Sequence, residues 1–268
     1  MEWQDEGIVL GFRQHGERDA LAVLLTFEHG KHAGLVRGGA ASRNRALLET
    51  GNRLQVVWKA RLAQHLGGFT LEPITQPAAL LLDRPLELAA LASACAMVDA
   101  GLGEREPHGH LYAALLRLTE RIGRNPDWMA DYVRFELMLL REAGFGLDLE
   151  SCAVSGVSEG LAYVSPRTGR AVTAEVGEPL KEKLIALPPF LVADVEHDTR
   201  QIAQGLRLAG YFFSRHITHP SDRMIPLARE RLAGLIEDLA GEGDSPVVAE
   251  TDTDSGLYAG PETDKERQ

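Results

Sequence analysis

Cysteine is nearly missing from this 268-residue chain, which has only Cys95 and Cys152. Two thiols cannot assemble a disulfide framework or a four-cysteine metal site within one chain, and they fit a reducing compartment. Long apolar runs are missing as well. The longest, residues 86–98, is interrupted by Glu87 and falls short of the roughly 20 residues that a membrane helix needs, so it predicts a buried helix. Residues 1–7 are acidic and polar with no basic region ahead of an apolar stretch, which predicts no secretory signal. A cytoplasmic location is expected, with no membrane partner. Catalytic signatures are scarce too. No glycine-rich phosphate loop ends in Lys-Ser or Lys-Thr, no Gly-x-Gly-x-x-Gly follows a strand, and no His-Glu-x-x-His occurs. The pairs His29/His32, His108/His110 and His216/His219 lack carboxylates or cysteines at ligand spacing, so no metal and no cofactor is expected. Cys152 stands beside Asp148 and Glu150 without a local histidine, which leaves it as a small packing residue. With no nucleophile, base and orienting group to assemble, a hydrolase is disfavoured and a non-enzymatic role expected.

Positive charge is also in deficit. The formal net charge is -11, which argues at first against a polyanionic partner. Its distribution argues the other way. Between residues 31 and 61 stand Lys31, Arg37, Arg43, Arg45, Arg53, Lys59 and Arg61 against Glu49 alone. From residue 241 onward the chain is acidic, polar and poor in large apolar groups, which predicts a disordered tail over 241–268. A basic segment near one end and an acidic one at the other is the asymmetry of a nucleic-acid binder with a solvating tail.

What is present falls into two patterns. Alternating apolar residues separated by turn residues predict strands over 7–13, 20–28, 31–38, 54–62 and 68–74, with His29 and Gly30 turning a hairpin. Five short strands with no long helix between them predict a small closed barrel of OB type, since closure removes exposed edges. From Asp83, read as a helix cap, the period becomes helical, over 83–100 and 108–122, and then from Asn125-Pro126 to Gly144. Trp128, Tyr132, Phe135 and Leu139 form the stripe of that third helix. Turns and short extended pieces occupy 147–173, with Ser165 to Arg170 as a hairpin tip. A short helix near 178–186 precedes two more, over 198–217 and 227–240. The expected fold class is therefore α+β: a five-stranded OB-like barrel over 1–78, then a helical domain over 79–240 carrying a small metal-free hairpin insertion at about 147–173.

Along 53–61 the side chains alternate, placing Leu54, Val56, Trp58 and Ala60 on one face and Arg53, Gln55, Lys59 and Arg61 on the other. The loop before it carries Arg37, Arg43 and Arg45 among glycines, a flexible cationic stretch suited to a phosphate backbone. These six cations are the candidate DNA contacts. No aromatic stripe accompanies them. A solvated barrel face is the competing reading, in which the protein would be an adaptor that recognises only proteins through the barrel edge and helical grooves.

Two stretches resemble the RecO family of DNA repair proteins: Glu6-Gly7-Ile8-Val9-Leu10 through Leu35-Val36-Arg37-Gly38-Gly39, and the fifteen residues from Phe135 to Leu149 followed by Cys152. The resemblance runs from about residue 2 to residue 239. It implies an OB-fold domain and a helical domain, binding of single- and double-stranded DNA, and annealing of complementary strands. It also implies assistance to RecA loading together with RecR, association with the nucleoid during repair, and capture of the acidic C-terminal peptide of single-stranded-DNA-binding protein. For that peptide the helices holding Leu111, Leu115, Arg121 and Arg134 are the candidate groove. Many members carry a four-cysteine zinc ribbon after the Gly-Leu-Asp-Leu stretch. Here Ser155 stands where the second cysteine of a Cys-x-x-Cys pair would be, so zinc is not expected.

Overall fold

A computed structural model describes residues 1–62 and 64–242; of the tail expected over 241–268, Gly241 and Glu242 instead continue a helix, and the rest lies outside the described residues. The chain opens with β1 (Glu2–His15), β2 (Asp19–Thr26) and β3 (Gly30–Val36), followed by a short helix α1 (Ser42–Leu47), then β4 (Arg53–Lys59) and β5 (Gly68–Thr75). They close into a barrel in the order β1-β2-β3-β5-β4, so each strand edge finds a partner. β1 bulges between Val9 and Gly11, which lets one long strand curve through two pairings. β3 and β5 meet in parallel at a single pair, Leu35 and Gly68. Gly30 starts β3 with φ +67, and a Cβ there would lie 1.9 Å from the Glu106 carbonyl oxygen, so both backbone sign and close approach demand glycine.

The barrel interior holds Val9, Ala20, Ala22, Leu24, Val36, Leu54, Val56, Trp58 and Phe69. The alternation read along 53–61 is seen in β4, where Leu54, Val56 and Trp58 are buried. On the outside of the barrel, Ile8, Leu10 and Leu25 join the core of the helical part, a cluster separate from the barrel interior. Lys31 reinforces the junction: its Nζ donates to the Asp99 carbonyl at 2.6 Å, and its own carbonyl accepts the Arg105 amide at 2.7 Å.

A 3-10 turn (Pro77–Leu81) leads into α2 (Pro85–Gly101), α3 (Gly109–Arg121) and α4 (Trp128–Glu142). Asp83 does not cap α2. The residue before the helix is Arg84, and Pro85 fixes the first turn instead. Asn125 likewise starts no helix. Its side chain accepts the Asp127 amide at 2.7 Å, an Asx turn that delays α4 to Trp128. The insertion is a small sheet in the order β7-β6-β8, built from β6 (Leu161–Val164), β7 (Ala171–Thr173) and β8 (Ile185–Ala186), with a one-turn helix α5 (Ala174–Gly177) after β7. Ser165 to Arg170 turn the β6–β7 hairpin, the Ser165 amide donating to the Arg170 carbonyl at 2.9 Å. Buried Cys152 accepts the Ser155 amide on its Sγ at 3.5 Å and lies 3.9 Å from the Thr173 hydroxyl. Among the described residues no three His, Cys, Asp or Glu side chains are placed to hold a metal ion.

Two helices close the described chain. α6 (Thr199–Phe213) opens with a capping box between Asp198 and Gln201 and continues into a π turn (Ser214–Thr218), and α7 (Leu227–Glu242) packs on α2 and α6. No described helix is long and apolar enough to cross a membrane.

Candidate nucleic-acid interface

The six candidate cations separate once the barrel closes. Arg37, at the end of β3, and Lys59, at the end of β4, line one cleft of about 620 Å³, together with Asn44, Leu47 and the β5 residues Gly68 to Leu71. Both cations are exposed, and Lys59 Nζ sits 2.9 Å from a Glu2 carboxylate oxygen. That pair is open to water, so its net attraction is small and a phosphate can compete for the ammonium. Arg45 is exposed in the last turn of α1, and Arg61 is exposed just past β4. Arg43 lies in α1, where its backbone alone is described.

Arg53 does not line this cleft. Its Nε donates to a Glu6 carboxylate oxygen at 3.0 Å, and Nη2 meets the same oxygen. The Glu6 hydrogen bond raises the guanidinium pKa further above its usual range. Neighbouring strands put these two side chains together, since Glu6 pairs with Gln55, two residues along β4 from Arg53, which makes Glu6 and Arg53 diagonal neighbours on one face.

Closure also recruits cations that the sequence reading omits. The β1–β2 tip carries exposed Arg13 and Arg18, and it packs on the loop after β3. The Ala40 amide donates to the Arg18 carbonyl at 3.0 Å, and the Gly38 amide to Asp19 Oδ1 at 2.8 Å. Their position around the positive-φ turn at Gly16 is the local sequence signal that places them at a tip. Aromatic side chains gather inside the barrel. Trp3 stacks on Trp58 at 5.6 Å and on His29 at 4.1 Å, while His32 meets Trp58 edge-on at 5.0 Å. This cluster is mostly interior: Trp58 is 2% exposed and His32 4%. Trp58 therefore fills the barrel instead of presenting a face to bases. Burial, helped by the charges of Arg105 and His29, lowers the His32 pKa to about 4.

A second groove, of about 350 Å³, runs between α3 and α4 and is lined by Ala114, Arg117, Leu118, Arg121, Asp131, Arg134, Phe135 and Met138. The helices are antiparallel, clasped at one end by Arg121 and Asp131 (2.6 Å) and at the other by His108 and Glu142 (3.2 Å). Arg134 donates to the Phe190 carbonyl at 2.9 Å, and its guanidinium lies 5.5 Å from that ring's centre. Leu111 and Leu115 correct the expectation: both are fully buried and face the core. The groove face of α3 is set by Ala114, Arg117 and Arg121 at helical spacing, about 100° round from the leucines.

The chain's relatives agree on one family. The family described as "Recombination protein O N terminal" matches residues 1–77, and "Recombination protein O C terminal" matches residues 83–223. A protein of Rhodospirillum centenum is 52% identical over 233 residues, covering 86% of this chain and 93% of its own. One of Rhodospirillum rubrum is 45% identical over 238 residues (86% and 94%), and one of Methylobacterium nodulans 46% identical over 241 (88% and 98%). Each of the three carries the name "DNA repair protein RecO".

Proposed function

The chain belongs to the RecO family of DNA repair proteins, and from that premise we propose that it acts as a recombination mediator. It binds single-stranded DNA on the barrel, anneals complementary strands and assists RecA loading together with RecR. The observation that carries this reading is the convergence of Arg37 and Lys59 on one cleft of a closed barrel, with Arg13, Arg18 and Arg45 exposed on neighbouring elements. Cations so arranged neutralise phosphates and release counterions, which supplies affinity without sequence preference. Once two complementary strands lie side by side with their charge screened, base pairing itself drives annealing, so the proposed step needs no catalytic group and no nucleotide cofactor. The groove between α3 and α4 is the proposed seat of the acidic, apolar C-terminal peptide of single-stranded-DNA-binding protein, with Arg117, Arg121 and Arg134 around an apolar floor of Leu118, Phe135 and Met138.

Titration of a labelled single-stranded oligonucleotide at several salt concentrations, with an annealing assay on complementary strands, tests the proposal. A steep linear fall of log affinity with log salt is expected. Salt-independent or absent binding would leave the protein-only adaptor as the better account.

A further inference from the structure

β3 and β5 pair in register only at Leu35 and Gly68, and the cleft opens beside that short seam. Its lining is layered. Half-buried Leu35, Leu47 and Leu71 offer aliphatic surface beside the buried Phe69, while Arg37 and Lys59 add charge. A space of about 620 Å³ falls within the usual range of small-ligand sites and is larger than two phosphate contacts require. We infer that the cleft takes one unstacked base of a single-stranded polynucleotide, with the flanking phosphates on Arg37 and Lys59, and that this base makes the barrel favour single strands over duplex. The inference rests on the DNA-binding reading given above and adds a base-holding subsite to it. An unpaired strand turns a base outward at little cost, whereas a duplex must break pairing and stacking, at a few kcal/mol, to present one. Duplex DNA is then left with phosphate contacts only.

Gly68 makes the cleft testable. A Cβ built there would meet only the Leu35 carbonyl oxygen, at 3.5 Å, and its φ lies outside the left-handed region. A branched side chain therefore fits the strand while occupying space that the base would use. Gly67 offers no such freedom, with φ +67 and a Cβ position 2.4 Å from the Trp58 ring.

The experiment uses the full chain and fluorescence anisotropy with three labelled probes: a thymidine oligonucleotide, a strand of equal length built from abasic units, and a duplex. The wild-type protein is expected to hold the thymidine strand roughly five- to tenfold tighter than the abasic one, the scale of one base contact. Gly68→Val is expected to erase that difference while duplex affinity, salt slope and melting temperature stay unchanged. Equal wild-type affinity for thymidine and abasic strands overturns the inference, and this arm needs no variant. So does a Gly68→Val protein that keeps its melting temperature but loses single-strand and duplex affinity equally. Wild-type protein that binds none of the probes overturns the DNA-binding reading itself, a result distinct from binding that ignores the base.

Discussion

Arg229 of α7 and Glu136 of α4 form a paired ionic contact across 93 residues, with Nε and Nη2 each 3.0 Å from a carboxylate oxygen. Arg229 is 6% exposed and Glu136 1%. Tyr132 donates to the same carboxylate at 2.9 Å and lies 2.6 Å from the Ser93 hydroxyl, and Arg229 also reaches the Leu206 carbonyl. Four helices thus meet at one polar knot inside the apolar core. Such a knot adds little net stability over a well-packed apolar one, but removing one partner leaves a bare charge in low dielectric.

Arg229→Ala is therefore expected to destabilise the fold by about 3–5 kcal/mol. Replacing both partners, Glu136→Leu with Arg229→Met, should cost less than Arg229→Ala alone. Urea denaturation of wild type and variants measures this, and additive losses would show that the two side chains act independently.

The barrel cations divide into two groups with different expected consequences. Arg37→Ala and Lys59→Ala should each weaken binding of every oligonucleotide and reduce the salt slope by about one. Arg53→Ala should leave the slope unchanged, because Glu6 already holds its guanidinium. The check is a set of parallel salt titrations, and a slope change in Arg53→Ala equal to that in Arg37→Ala would contradict the division.

This division shows where the sequence is legible and where it is not. Leu54, Val56 and Trp58 declare the face of β4 because alternation is a local property. The partner of Arg53 is not local: Glu6 lies 47 residues away and becomes a neighbour only when β1 closes on β4. Helical phase is a subtler case. Leu111 and Leu115 announce an apolar stripe on α3, but the stripe's burial against α2 and α4 leaves the groove to Ala114 and Arg117, residues with weaker signals. α1 escapes notice because six residues, Ser42 to Leu47, are too few to show a period. Arg229 and Glu136 look like ordinary surface charges until α4 and α7 pack.

At the α3–α4 groove, Arg117→Ala separates recognition from architecture better than Arg134→Ala. Arg134 also holds the Phe190 carbonyl, so its loss affects the adjoining turn. Arg117→Ala is expected to weaken an acidic, apolar peptide by about 1.5–3 kcal/mol, the scale of a charge-assisted hydrogen bond. Binding of naked DNA should be unchanged. Calorimetry with the isolated peptide beside an oligonucleotide titration reads both, and equal losses would point to a shared site or a damaged fold.

His32 links the barrel core to pH. Both ring nitrogens are buried without a hydrogen-bond partner among Trp3, Trp58 and Phe69. Burial favours the neutral ring and lowers its pKa from 6.5 to about 4. The folded value lies below the unfolded one, so the unfolded chain binds a proton first as pH falls. The stabilisation is complete above pH 6.5, declines as pH drops from there, and is exhausted near pH 4, where the folded ring also takes a proton. The full difference amounts to about 3 kcal/mol. Unfolding free energies measured by urea between pH 7.5 and pH 4.5 should therefore fall more steeply in the wild type than in His32→Phe, which keeps the ring volume and removes the titrating group. Parallel pH profiles for the two proteins would mean that other groups account for the whole decline.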